Sequence, residues 1–341
     1  MRSFFRPAVL LGLSVCASSV LSVVNHLPMA TAADSKGIAA ITVEEAKKYP
    51  DFAVQGEYEG ELGDQDGKQK WGLQVIALGE GKFHVVAYAG GLPGNGWDKS
   101  EKREVDGSTV DGTTTFKGET GSAAIRDGVA KITTPDGKPL GEMKKLERQS
   151  PTIGKKPPEG AVVLFDGKSG DAFTDPKKFV DGLMSQGITS KQKFGDFSLH
   201  MEFLLSYMPA ARGQGRANSG CYMQGRYEVQ ILDSFGLSGE HNECGGIYTI
   251  KKPDVNMCLP PLQWQTYDVD YTAAKYDADK KKTANAKLTV RHNGVLIHEN
   301  VELPKGTTAA PVAEGPEPGP IYIQDHGNPI RFRNIWLVEK K

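Results

Sequence analysis

Three short runs carry the residues able to do chemistry. In NSGCYMQGRYEVQILDS, residues 218–234, Tyr227, Val229 and Ile231 alternate with Glu228, Gln230 and Leu232. That period of two marks a strand with unlike faces. A carboxylate and an amide then share one face, just after a turn carrying Arg226, and Asn218 opens the run. In GPIYIQDHG, Ile321 and Ile323 oppose Tyr322, Gln324 and His326; in RFRN, Arg331 and Arg333 share a face. On a solvated face these groups would only meet water, and ion pairs made by the arginines would contribute little. Yet a face built for solubility carries Lys, Glu and Thr, whereas Tyr, Gln, His and Arg suit the lining of a ligand cleft. Facing such a cleft, the two arginines would stabilise a developing oxyanion.

Several familiar chemistries are excluded. The sequence has no G-x-S-x-G elbow, no H-E-x-x-H, no Walker loop and no dinucleotide fingerprint. YEVQILD keeps one acid and places an amide at the next same-face position, so a double-carboxylate glycosidase mechanism is poorly matched. His241, Glu243 and Cys244 in GEHNECGGIYTI fit no zinc spacing and read as a solvated loop. Loop carboxylates and carbonyls also suit calcium, so a divalent ion stays open and no cofactor is assigned. Trp264, beside Pro260 and Pro261, reads as packing.

The elements that must position these groups are nearly all strands. TVEEAKKYP gives Thr42 and Glu45 in capping-box spacing, with Pro50 as a stop, and predicts one short helix. WGLQVIALGEGKFHVVAYAGG folds back at its Gly turn, and Asp127-Gly128 and Asp136-Gly137 split later apolar runs in the manner of hairpins. Residues 34–150 thus form a small antiparallel β domain of unknown role. RQSPTIGKKPPEGA, spanning a linker at 151–160, lacks apolar periodicity. Residues 161–339 then supply DFSLHMEFLL, QTYDVDYTA, a hairpin at Asn293-Gly294 and a closing strand IRFRNIWLVEK. Antiparallel strands without intervening helices predict a two-sheet sandwich or jelly roll.

The first 33 residues read as an export leader: Arg2 and Arg6, an apolar stretch, then Ala30-Thr31-Ala32-Ala33. The expected location is periplasmic or extracellular, with no membrane-spanning run after Asp34. A formal net charge of −1 argues against a nucleic-acid partner. Cys221, Cys244 and Cys258 follow the leader, and an oxidising compartment permits a Cys244–Cys258 bridge stabilising by about 3 kcal/mol.

Residues 160–339 resemble the 3-keto-disaccharide hydrolase family, also described as the 3-keto-glucoside lyase and 3-keto-2-hydroxy-glucal hydratase domain. The resemblance rests on VVLFDGKS, FGDFSLHMEF, ANSGCYMQGRYEVQILDS, CGGIY, WQTYDVDY, RHNGVLI and IYIQDHGNPIRFRNIWL, in that order. It implies a concanavalin-like jelly roll in an exported protein, and a 3-keto-glycoside as substrate. The keto group acidifies the C2 proton; a base removes it and the group on C1 leaves by β-elimination. Such chemistry needs a base, an acid for the leaving oxygen and a donor or cation at the enolate. Glu228 and His326 are the expected proton-transfer residues, with Arg333, Arg331 or a divalent ion at the enolate. Asn218, Arg226, Gln230, Tyr322 and Gln324 are the expected sugar-binding residues. The competing expectations are a carbohydrate-binding module without chemistry and an envelope scaffold, since fold does not fix function.

Overall fold

The computed structural model describes residues 37–64 and 67–340; the leader-like run 1–33 lies outside them. The first elements are two short helices, α1 (Val43–Ala46) and α2 (Pro50–Val54). Thr42 Oγ1 accepts from the Glu45 N–H at 3.2 Å, and the Glu45 carboxylate accepts from the Thr42 N–H at 3.3 Å. This is the reciprocal cap that TVEE predicts. Pro50, expected to stop a helix, instead begins α2; at a first helical position its missing N–H costs nothing.

Eight strands follow: β1 (Gly56–Asp64), β2 (Gly67–Gly79), β3 (Lys82–Ala89), β4 (Lys102–Val110), β5 (Thr113–Gly118), β6 (Gly121–Arg126), β7 (Val129–Thr133) and β8 (Pro139–Leu146). They form a closed antiparallel barrel, β1 pairing with β8 to seal it. The turns expected at GEGK and Asp127-Gly128 are present, with φ of 55° and 71° at Glu80 and Gly81 and 50° and 74° at Asp127 and Gly128. Such paired positive values match the twist of the flanking strands. α2 covers one barrel end: Tyr58 Oη donates to Val54 O at 2.7 Å and Lys145 Nζ to Ala53 O at 2.6 Å.

The rest is a sandwich. Its strands are β9 (Val162–Phe165), β10 (Phe179–Val180), β11 (Leu183–Ser185), β12 (Ile188–Phe194), β13 (Phe197–Leu205), β14 (Ser219–Met223) and β15 (Tyr227–Ile231). Then come β16 (Trp264–Thr272), β17 (Lys275–Tyr276), β18 (Lys282–Ala284), β19 (Ala286–His292), β20 (Val295–Leu303), β21 (Gly319–Ile323) and β22 (Ile330–Glu339). A long sheet runs β10-β11-β22-β13-β16-β19-β20, with β9 on β22; a short sheet runs β12-β21-β14-β15. Phe197, Leu199, Met201 and Phe203 of β13 meet Cys221, Val229, Ile231 and Ile323 of the short sheet in one buried cluster. Strand alternation therefore sends Glu228 and Tyr322 to one outer face of the sandwich and Glu202, Arg331 and Arg333 to the other. Barrel and sandwich touch directly: Ile76 joins the sandwich core, and the Arg212 and Arg216 guanidiniums donate to Leu78 O and Ala77 O.

The linker composition of 151–160 does not give a free tether. Thr152 Oγ1 donates to Asp268 at 2.7 Å, the Gly154 N–H to Glu202 at 2.6 Å, and Lys155 O accepts from the Trp336 indole at 3.2 Å. The segment is thereby laid along the outer face of the long sheet. Beneath it Glu202 is buried, and a lone carboxylate there would cost several kcal/mol. Burial alone would raise its pKa, but hydrogen bonds from Asn334, Arg333 and Gly154, with the His200 ring 3.6 Å away, hold it down to about 2. Cys244 and Cys258, which an oxidising compartment would permit to bridge, are free, buried thiols, with Cys244 Sγ 3.2 Å from Tyr267 Oη.

A carboxylate held below its unfolded pKa stabilises the fold at neutral pH and loses that contribution on acidification. Glu202→Gln should lower stability at pH 7 by about 3 kcal/mol, read as the denaturant midpoint. The difference from the parent should be complete above about pH 5 and shrink as pH falls toward 2; a pH-independent difference would contradict this account.

Candidate active site

Three strands of the short sheet bring the polar row together. Tyr322 of β21 lies directly opposite Tyr222 of β14, which lies directly opposite Glu228 of β15. The two phenol rings are 5.2 Å apart between centroids, and Tyr222 Oη donates to Glu228 Oε2 at 2.8 Å. Gln324 continues the line of β21, its N–H bonded to Gly220 O at 2.9 Å and its amide 3.3 Å from Tyr222 Oη. Glu228 and Tyr222 are buried, while Tyr322 and Gln324 are half-exposed and form the open side of the cluster.

The carboxyl has room because of one residue. Gly220 stands opposite Gln230 and diagonal to Glu228 across the β14–β15 pair, and a Cβ on it would meet the Glu228 carboxyl. Any other side chain at 220 would expel the carboxyl from this position. Burial pushes the Glu228 pKa up to about 7, the hydrogen bond from Tyr222 opposing that rise. Burial also raises the Tyr222 pKa, so its phenol keeps its proton and remains a donor.

Gln230 is the other neighbour, and its amide has two orientations. With nitrogen toward Glu228 it donates to Glu228 Oε1 at 2.8 Å and Ser219 O at 3.0 Å. Turned the other way it donates to Gln214 Oε1 at 3.0 Å and Asn218 Oδ1 at 3.3 Å. Its oxygen then faces Glu228 Oε1, a contact that requires a proton on the carboxyl. The two orientations match the two protonation states of the acid. Asn218 is fixed in turn, donating to Gln214 O at 2.7 Å.

The structure thus gathers Glu228, Gln230, Asn218, Tyr322 and Gln324. His326 lies exposed in the loop after β21, three residues beyond the strand's end. Arg333 and Arg331 are not brought there. Arg333 donates to Glu202 at 2.6 Å and stacks 3.9 Å over the Trp264 ring; Arg331 donates to Ser185 Oγ at 3.2 Å. Both belong to the opposite outer face, because their alternation partner Phe332 points into the core between the sheets. Arg226 is buried and donates to Ala313 O and Gln224 Oε1, each at 2.8 Å, fastening the loop that precedes β21. Its guanidinium is committed to the fold rather than offered to a ligand.

Tyr222, Gly220 and Gln214 were not expected at the site. Pairing the run symmetrically about the Gln224-Gly225-Arg226 turn would have set Tyr222 against Glu228. Tyr248 follows from CGGIY, which adds along the free edge of β15: the Tyr248 N–H donates to Glu228 O at 3.2 Å, and the His241 ring lies 6.4 Å from the Tyr248 ring. Among the described residues no three His, Cys, Asp or Glu side chains gather to hold a metal ion. The neighbours of Glu228 are phenols and amides, a donor set suited to sugar hydroxyls and to moving a proton rather than to a hard cation.

A family model for the 3-keto-alpha-glucoside-1,2-lyase-like domain matches residues 160–338, just over half of the chain. A crystal structure of a proposed glycosyl hydrolase from Parabacteroides distasonis ATCC 8503 is 34% identical, covering 54% of this chain and 85% of that one at a TM-score of 0.49. A second from the same organism is 18% identical, covering 54% and 95% at a TM-score of 0.40. No curated protein matches the sequence.

Removing the Tyr222 hydroxyl takes away a hydrogen bond that opposes the rise of the Glu228 pKa. Tyr222→Phe should therefore raise the Glu228 midpoint further above its ordinary range than about 7, followed by carboxyl carbon NMR. An unchanged or lowered midpoint would refute the assigned contact.

Proposed function

Because the chain belongs to the 3-keto-alpha-glucoside-1,2-lyase-like domain family, we propose that its short-sheet cluster cleaves 3-keto-glycosides by C2 proton abstraction and β-elimination. The domain is carbohydrate-acting; the oxidised sugar and this mechanism are the proposal. The observation that carries it is Glu228, a buried carboxyl with a pKa raised to about 7, among phenols and amides on the outer face of a sheet. A base that titrates near the operating pH combines a usable ionised fraction with enough basicity to take a carbon-bound proton.

The ionised Glu228 takes the C2 proton of the sugar, and the electron pair enters the neighbouring C3 carbonyl as an enolate. Tyr322 and Gln324, half-exposed on the same row, donate to that oxygen. Collapse of the enolate re-forms the carbonyl, makes the C1–C2 double bond and breaks the bond from C1 to the leaving oxygen. His326, exposed in the loop after β21, gives that oxygen its proton. Glu228, now protonated, is hydrogen-bonded to Gln230 in the second amide orientation. Asn218 and Gln214 hold Gln230 and line the place of a sugar hydroxyl. Water adding to the enone completes net hydrolysis. The leader-like run 1–33 supports a protein working outside the cytoplasm, where oxidised glycosides from degraded glycans are met.

Incubating the full chain with a 3-keto-glucoside should generate the ultraviolet absorbance of an enone, whereas a binding module generates none. Glu228→Gln should cut turnover by roughly 10²- to 10⁴-fold; unchanged turnover would remove it as the base. The rate should climb as pH rises through about 7, the Glu228 pKa, because the base must lose its proton first. Stability has the opposite sign. Above its unfolded pKa an acid raised in the fold costs stability, here on the order of 3 kcal/mol by pH 8. Glu228→Gln should therefore be inactive yet at least as stable as the parent at that pH.

A further inference from the structure

The barrel is filled at one end only. Beneath α2 its interior is packed by Tyr58, Val75, Phe83, Ile125 and Met143, all buried. Toward the opposite end the inward positions become small: Ala87 on β3, Ala123 on β6 and Gly118 at the end of β5. A cavity of about 640 Å³ opens there, its walls including Trp71, Ala87, Val105, Phe116, Ala123 and Ile132. Eight-stranded barrels are just wide enough either to be plugged by their own side chains or to hold one small ligand. Here the plug stops halfway. Trp71, Ala87, Val105, Ala123 and Ile132 are apolar, face inward and remain half-exposed, a state that a ligand would relieve by removing them from water. The volume falls within the range of small-molecule sites.

The mouth indicates the ligand's charge. Arg103 and Lys117 are balanced there by Glu104 and Glu119. The Arg103 guanidinium is already engaged, its Nε donating to Glu101 at 2.7 Å and a terminal nitrogen to Thr120 at 2.9 Å, while it lies 4.9 Å over the Trp71 ring. It therefore holds Trp71 in place and is not free to capture an anion. One flat ring, the half-exposed Trp71, faces the space above the buried Phe116, a setting that favours stacking. We propose that the barrel binds one neutral, largely apolar ring compound of drug-like size, against Trp71. No wall of this cavity comes from the sheet that carries Glu228, so the proposal stands independently of the elimination chemistry.

The test titrates the full chain with N-phenyl-1-naphthylamine, a neutral apolar fluorophore. The expected result is saturable enhancement at one probe per chain, with quenching of tryptophan emission that is reduced in Trp71→Phe. Ala123→Leu, which fills the cavity from within, should weaken binding at least 10-fold; Thr115→Leu, on the outer surface of β5, should not. Should Ala123→Leu fail to fold, as judged by its thermal transition, Ala87→Val takes its place with the same expected direction. Absence of saturable binding, equal binding by the cavity-filling variant, or tighter binding of the anionic sulfonate analogue would each overturn the proposal.

Discussion

The Glu228 carboxyl lies flat on its β-sheet because the position diagonal to it on the neighbouring strand has no side chain. Gly220 supplies that gap, and what is particular to the short sheet follows from it. With the gap, Glu228 is withdrawn from water, its acidity falls, and it becomes a partner for the Tyr222 phenol and the Gln230 amide. Without it, Glu228 would swing into solvent and behave as an ordinary surface acid. The cost of burying a charge is met here by letting the group hold or lose its proton near neutrality, with an adjustable amide on one side. That separates it from Glu202, which is equally buried but keeps its charge because three donors hydrogen-bond it. Two glutamates in one sandwich are thus driven in opposite directions, one by desolvation and one by hydrogen bonding.

Much of this was legible in the sequence. The alternation in DFSLHMEFLL, QTYDVDYTA and YEVQI placed strands and faces correctly, because each of these strands has one side in the dry core between two sheets. Asn293-Gly294 marked its hairpin, with φ of 50° and 79°, for the same reason as the barrel turns. The grouping of Glu228, Gln230, Tyr322 and Gln324 also followed from face and residue type.

What alternation cannot say is which of two outer faces a strand presents. Arg331 and Arg333 had the right chemistry and period but sit on the far side, where Glu202 and Trp264 use up Arg333. Arg226 was misread because a buried cation fastening a loop has the same one-letter appearance as one awaiting a ligand. Closure of the barrel was equally hidden, since a run of hairpins gives no sign that its first and last strands pair. Pro50 shows the limit at short range: a residue that ends one helix is also well suited to begin another.

The strap at 148–155 has a bearing on how such proteins are assembled and dissected. Linkers between β bodies are commonly regarded as places where a gene can be cut. Here a cut near residue 160 would take away Thr152 from Asp268, the Gly154 N–H from Glu202 and the carbonyl that receives the Trp336 indole. The excised sandwich would expose an indole and carry an under-compensated acid on what had been a covered wall. The sandwich is therefore not a portable module in this chain: its natural severing point lies upstream, inside a stretch that composition alone would assign to the other half.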